Sequence, residues 1–386
     1  MRARRSLRVG LIGHGFMGKA HSNAWRQTPR FFELPAEVKM STLCGRDAHA
    51  VKEAAGRFGW EKTATDWRVV VDDPEIDIID ISTPNDSHAA IAVAAAEAGK
   101  AILCEKPLAR DLSEAERMTD AVRRARVVNM VCHNYRRLPA LALAREMIAR
   151  GDLGGRLFHF RARYAQDWIA NPKFPLVWRL RSKDASSGSL GDIGSHIIDL
   201  GRYLVGEFRE VCGTLETFVK ERPLPGKRGT RGKVTVDDAV SALARFRNGA
   251  LATLEATRFA PGRKNALTIE INGSEGSLVF DLEEMNRLRF YSTRDPEEKR
   301  GFREIIVTEP LHPYVEHWWP PGHLIGYEHS FVHTMADFVR AVVERKSASP
   351  TFADGLVNQR VLAAIEQSTR EKTWVQIEHR AKSASS

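Results

Sequence analysis

The stretch Gly10-Leu-Ile-Gly13-His-Gly15-Phe-Met-Gly18 decides the fold of this chain. It carries G-x-G-x-x-G at Gly13, Gly15 and Gly18, after an apolar run and before a helix-forming one. In that setting the first glycine turns the chain out of a strand. The second lets backbone approach a pyrophosphate, and the third lets the next helix pack closely on the strand. The helix start offers free N–H groups and a positive dipole end to phosphate. Gly13, Gly15, Phe16, Met17 and Gly18 are therefore expected to hold a dinucleotide.

Outward from this loop, strand and helix alternate. Apolar runs at 7–13, 38–44, 76–82, 101–104 and 127–133 read as strands. Helices are expected from 18, over 48–58, over 86–98, and over 113–124, where Ser113 and Glu116 form a capping-box pattern. Continuous apolar strands joined by helices mean a doubly wound parallel sheet, the α/β Rossmann arrangement, with ligands at the strands' carboxyl ends.

After residue 135 the rhythm changes. A helix at 140–150 leads to an alternating strand at 157–168, a Ser/Gly segment at 185–191 and a helix at 192–205. Strand-like runs follow at 211–219, 238–245, 251–257, 266–272, 277–280 and 287–291, then helices at 327–344 and 354–372. This predicts an α+β domain with a large open, mainly antiparallel sheet. The expected division is 1–135 for cofactor and 136–386 for substrate and oligomerisation. Helices can cover only one face of such a sheet, so the other is expected to form a homodimer or homotetramer.

Bulk properties exclude several classes. The 386 residues suit two domains. No apolar run approaches the ~20 residues needed to span a bilayer. The basic start Met1-Arg-Ala-Arg-Arg5 precedes a short run broken by glycines, which reads as a strand rather than a signal peptide. Cys44, Cys104, Cys132 and Cys212 form no C-x-x-C pair, which fits a reducing cytoplasm. The net charge of +9 is accounted for by Arg2, Arg4, Arg5 and Arg8 together with the segment 220–233, which includes Arg228. No basic stripe with interleaved aromatics exists, so nucleic acid is not an expected partner.

At the end of the second strand, Asp47 suits the ribose 2′-hydroxyl of NAD, while Gly45 and Arg46 lean toward the 2′-phosphate of NADP. NAD is the cofactor assigned, with NADP left open. Asp47 also suits capping of the next helix.

Three more motifs follow in order: Thr83-Pro-Asn-Asp-Ser-His88, Glu105-Lys-Pro107, and Gly188-Ser-Leu-Gly-Asp192-Ile-Gly-Ser-His196-Ile-Ile-Asp199. With the glycine loop, they make the chain resemble the glucose–fructose oxidoreductase/inositol dehydrogenase/MocA family over nearly its whole length. Gln166-Asp-Trp168, Trp178-Arg179 and His312-Pro313 through Tyr327 are similar to its sugar 3-dehydrogenase branch, levoglucosan dehydrogenases among them. The resemblance implies an NAD(P)-dependent oxidoreductase. Such an enzyme moves a hydride between the nicotinamide and a ring hydroxyl or ketone of a sugar, anhydrosugar, glycoside or cyclitol. It implies a catalytic group of Lys106, Asp192 and His196, and cofactor contacts from Thr83, Pro84, Asn85, His88, Glu105, Lys106 and Asn134.

The residues agree with those roles. Lys106 ends a strand where a nicotinamide should lie. Asp192 and His196 are spaced i, i+4 and share a helix face. A helix N-terminus would hold Asp192 ionised and His196 neutral. His196 is expected to act as base, Lys106 as the electrostatic partner of the substrate oxygen, and Asp192 as the anchor of a neighbouring hydroxyl. Tyr135, Gln166, Trp168 and Arg179 are further substrate candidates. His312, His317, His323, His329 and His333 include metal-like spacing without a compelling third ligand, and no metal is assigned. Two alternatives remain: an enzyme with tightly bound NAD that passes through a 3-keto sugar, and a non-catalytic NAD(P) sensor.

Overall fold

A computed structural model describes residues 5–227 and 229–378. Arg2, Arg4 and Arg228 of the basic clusters, and most of the start weighed as a signal peptide, lie outside the described residues.

The elements run β1 (Ser6–Ile12), α1 (Phe16–Phe31), β2 (Glu37–Cys44), α2 (Ala48–Phe58), β3 (Lys62–Ala64), α3 (Trp67–Asp72), β4 (Ile78–Ile81), α4 (His88–Glu97), β5 (Ala101–Glu105), α5 (Leu112–Ala125) and β6 (Asn129–Cys132). Next come α6 (Pro139–Ala149), β7 (Leu157–Ala165), α7 (Ser182–Ala185), α8 (Ser195–Leu204), β8 (Phe208–Glu216), β9 (Glu221–Pro223), β10 (Arg231–Lys233), β11 (Ala239–Phe246) and β12 (Leu251–Thr257). The chain ends with β13 (Ala266–Gly273), β14 (Gly276–Asp281), β15 (Arg287–Ser292), β16 (Arg303–Ile306), α9 (His329–Glu344), α10 (Phe352–Glu371) and β17 (Val375–Gln376).

Strands β1 to β6 make one sheet in the order β3-β2-β1-β4-β5-β6, all parallel. Chain order reverses between β1 and β4, the switch point where doubly wound sheets bind ligands. β4 is buried throughout because helices cover both faces. The second sheet has nine strands in the order β16-β15-β14-β13-β7-β12-β11-β8-β17, antiparallel apart from the β7/β12 pair. Its alternation is visible in β11, where Val240, Ala242, Ala244 and Phe246 are buried and Ser241, Leu243 and Arg245 are exposed.

Several expectations are corrected. β3 is three poorly buried residues and carries no apolar run to announce it. The open sheet has nine strands rather than six, because β7 joins it and the short edges β16 and β17 extend it. The cap of α5 is Asp111, which accepts from the Glu114 N–H at 2.8 Å, rather than Ser113 with Glu116. Glu114 then accepts from the backbone and guanidinium N–H groups of Arg110, one residue before the cap. One compact unit takes residues up to Arg137, His317–Trp319 and Ile325–Leu356, and the other takes Leu138–Glu316, Pro320–Leu324 and the chain from Val357. The physical reason is that α9 packs on α1: the Phe331 ring lies 5.5 Å from that of His21, and Trp318 lies 4.5 Å from Phe31.

His333 locks this arrangement. Its Nδ1–H donates to the Arg137 carbonyl at 2.8 Å, and its Nε2 accepts from the Trp318 indole at 2.7 Å. Both bonds need a neutral ring, and burial pushes the imidazole down to about 3. A base whose folded pKa is depressed contributes stability above its unfolded pKa and loses it as pH falls. The stability advantage of wild type over His333→Gln, which keeps an acceptor for Trp318, should shrink by about 3 kcal/mol between pH 6.5 and 4 in urea titrations. A constant advantage would mean that His333 titrates normally.

Candidate active site

The cofactor loop is shaped as its sequence requires. Gly13 sits at φ +111°, and a β-carbon on Gly18 would lie 2.1 Å from the Gly13 carbonyl oxygen. A β-carbon on Gly15 would meet nothing within 4 Å, so open space lies over that glycine. Ser82 at the end of β4 ties the loop down, its hydroxyl donating to Gly13 at 3.1 Å. No side chain caps the start of α1 and no acidic residue occupies its first turn. The first N–H groups are therefore free for an anion, which fits a dinucleotide pyrophosphate. Phe16 is exposed beside them and Met17 is half-buried.

Arg46 and Asp47 are both exposed at the end of β2. Asp47 caps α2 through one oxygen, which accepts from the His49 and Ala50 N–H groups at 3.0 Å. The Ala50 N–H, then that of His49, hold its carboxyl below the usual range.

Two loops at the neighbouring strand ends are latched by His88. Its buried ring lies between the Thr83 carbonyl at 3.0 Å and the Pro107 carbonyl at 3.2 Å. Thr83, Pro84 and Asn85 stay part-exposed on one side of this latch, and Lys106 is half-buried on the other. Glu105 turns inward: its carboxylate meets His21 Nε2 at 2.9 Å and accepts from the Lys106 N–H at 3.1 Å. His21 Nδ1 meets Asp80 at 2.9 Å, and Trp25 donates to Asp80 at 2.7 Å. Burial opposes a charge on His21, but Asp80 raises it well above its ordinary value. Burial likewise opposes a Glu105 charge, and the His21 hydrogen bond overcomes it. Cys132 completes this cluster as a thiol, pushed up to about 12 by burial. Asn134 is buried and donates to Ser330 at 2.8 Å, and Tyr135 is buried with its ring 6.3 Å from that of Tyr327. Both ring nitrogens of His333 are engaged, by the Arg137 carbonyl and the Trp318 indole, and His329 Nδ1 accepts from the Gly326 N–H at 3.0 Å.

In the second unit, Asp192 and His196 sit one turn apart as their spacing requires, but the expected continuous helix is not regular. Leu190–Gly194 form a π-helical turn, and α8 starts at Ser195. Such turns recur at functional sites. Asp192 is the one residue between 191 and 200 that is not buried. The lead-in is clamped by buried Asp237, which accepts from the Gly188 N–H at 2.6 Å, the Ser189 hydroxyl at 2.6 Å and the Leu190 N–H at 2.8 Å. Position 188 must be glycine, since a β-carbon would lie 1.7 Å from the Asp237 carbonyl oxygen.

Sequence reasoning missed the residue that braces Asp192. Arg258, at the end of β12, is fully buried. It reaches Asp192 at 3.4 Å and the Asp237 carbonyl at 3.2 Å, and lies 5.4 Å from the Trp168 ring centre. Trp168 donates to Gln166 at 3.0 Å, and Gln166 and Tyr164 donate to Asn265 at 2.8 and 2.7 Å. The Tyr164 ring lies 5.9 Å from His196. A lone arginine after a strand gives no signal of this role. Arg179 lies against Trp178 at 4.4 Å, outside these contacts.

A half-buried carboxylate, a backing cation and an imidazole one turn away suit proton transfer and hydroxyl anchoring. Replacing Arg258 with methionine leaves Asp192 without its buried cation. The loss of stability should be about 2 kcal/mol, and Arg258→Lys should restore part of it. Equal melting temperatures for wild type and Arg258→Met would contradict the brace.

Comparison with known proteins follows the same lines. Residues 7–133 match the family model described as an oxidoreductase family with an NAD-binding Rossmann fold, and 141–279 match the GFO/IDH/MocA C-terminal domain. Levoglucosan dehydrogenase of Pseudarthrobacter phenanthrenivorans is 47% identical over 97% of this chain and 98% of its own. A solved levoglucosan dehydrogenase in complex with NADH and levoglucosan has a TM-score of 0.94 at 47% identity, covering 97% of this chain and all of that one. An oxidoreductase domain protein from Kribbella flavida reaches 56% identity at a TM-score of 0.94, with 97% of this chain and 100% of that one covered. Sequence motifs, sheet topology and relatives agree: the chain belongs to the Gfo/Idh/MocA oxidoreductase family.

Proposed function

We propose that this protein is an NAD-dependent dehydrogenase that oxidises a ring hydroxyl of a sugar, with the anhydrosugar levoglucosan as its leading substrate. The observation that carries this reading is the Asp192–His196 turn. It exposes one carboxylate, backs it with a buried guanidinium and sets an imidazole one turn on. A dinucleotide sensor needs no such arrangement. The glycine loop supplies the cofactor side, and the relatives at 47% identity are levoglucosan dehydrogenases, one of them solved in complex with NADH and levoglucosan.

NAD, when bound, would supply the acceptor for the hydride of the carbinol carbon. His196 takes the hydroxyl proton, and the product is the ketone, with one proton released. Lys106 donates a hydrogen bond to the reacting oxygen, where negative charge develops. Asp192 accepts from a neighbouring hydroxyl, so the ring is held in one orientation. Thr83, Pro84 and Asn85, on the β4 side of the His88 latch, line the nicotinamide end, and Asp47 serves the adenosine ribose. Among the described residues no helix is long and apolar enough to cross a membrane.

The exposed face of the nine-stranded sheet serves assembly into a dimer or tetramer. It bears Leu243 and Leu251, which are 53% and 42% exposed, beside an open groove of about 600 Å³. Apolar groups on a sheet face in water mark an interaction surface.

Two outcomes check this reading. Absorbance of reduced nicotinamide should grow with levoglucosan and NAD, and His196→Ala should lower kcat by roughly 10²–10⁴-fold; an undiminished kcat would remove His196 from the chemistry. Leu243→Glu should shift the sedimentation coefficient to that of a single chain, and a wild type that already sediments as one chain would contradict the assembly.

A further inference from the structure

One chain of hydrogen bonds in the second unit has a direction that chemistry alone fixes. The Trp168 indole nitrogen can only donate. It lies 3.0 Å from Gln166, so the atom facing it must be the Gln166 carbonyl oxygen. The Gln166 amide nitrogen therefore points the other way, toward Asn265 at 2.8 Å. Two amide nitrogens cannot face each other, so the Asn265 atom there must be its oxygen. The Tyr164 hydroxyl donates to the same oxygen at 2.7 Å. Asn265 is thus held with its carbonyl fully used, and among the described residues its amide nitrogen meets no acceptor.

These contacts start and finish on the same helical turn. From His196 they pass to Tyr164, Asn265, Gln166, Trp168 and Arg258, and return to Asp192. The strip is rigid. Gln166 exchanges backbone hydrogen bonds with Thr257 and Ala260, and Asp167 grips the following loop through the Gly262 N–H and Lys264 at 3.1 and 2.7 Å. Asn265 sits at the mouth of β13, partly exposed.

We propose that Asn265 is a specificity-determining residue whose amide nitrogen donates to an ether oxygen of an anhydrosugar. This rests on the sugar dehydrogenase reading above. An oxygen without hydrogen can only accept, and the strip offers it only a donor. A free sugar presents a hydroxyl there, which can donate or accept and so gains less from a fixed donor. The intramolecular ether bridge of levoglucosan is such an acceptor. No residue type or spacing in the sequence announces this role, because the direction is set by Trp168 two partners away.

The test compares kcat/KM for levoglucosan and for glucose with NAD, in wild type, Asn265→Asp and Trp168→Phe. Asn265→Asp keeps the oxygen facing Gln166 and Tyr164 and turns the donor into an acceptor. The levoglucosan-to-glucose ratio should fall about tenfold or more, mainly through a higher KM for levoglucosan. Trp168→Phe removes the obligatory donor to Gln166, so both amides can turn over, and the ratio should fall by a smaller factor. A merely structural strip would lower both substrates equally and leave the ratio unchanged, which overturns the proposal alone. Wild type that reduces no NAD with either sugar overturns the dehydrogenase reading as well.

Discussion

A guanidinium cut off from water organises the second unit. Arg258 must find acceptors inside the protein, because burying an unpaired cation costs several kcal/mol. It finds them in Asp192 and in the carbonyl of Asp237, whose carboxylate in turn clamps Gly188, Ser189 and Leu190. Three segments far apart in sequence are fixed to one another by this cation. The irregular turn at Leu190–Gly194 becomes affordable, and its one part-exposed carboxylate gains a set position.

The first unit uses the same device with opposite signs. Asp80 and Glu105 are buried carboxylates at the ends of two strands, and the His21 imidazole lies between them. Because Glu105 also accepts from the Lys106 N–H, the backbone that carries Lys106 is anchored to the helix following the glycine loop. Ser82 and His88 complete the frame by fixing the loop ends to one another. Residues that the motif reading assigns to the cofactor thus divide into two kinds. Thr83, Pro84, Asn85 and Lys106 remain part-exposed, whereas the side chains of His88, Glu105 and Asn134 are buried in support.

How much of this was legible in the sequence follows from what each feature rests on. The apolar run at 76–82 and the glycine loop are local and periodic, so β1, β4 and their order could be read directly. The pair Asp192 and His196 stood out because both lie in one short motif. Arg258 could not, since its partner is 66 residues away and nothing near it is unusual. Asn265 was invisible for a similar reason: its role depends on a direction passed from Trp168 through Gln166. The helix at His329–Glu344 was found, but its packing on α1 left no local signal, because the aromatic contacts between them join residues some 300 positions apart. Short edges such as β3 and β16 bury too little to leave a pattern.

The most direct test of the central claim follows the hydride itself. Levoglucosan carrying deuterium on its ring carbinol carbons would be incubated with the enzyme and NAD, and the nicotinamide analysed by mass spectrometry. The account predicts one deuterium in the reduced nicotinamide and a ketone on the sugar. Nicotinamide that stays oxidised and unlabelled while the sugar is unchanged would contradict it.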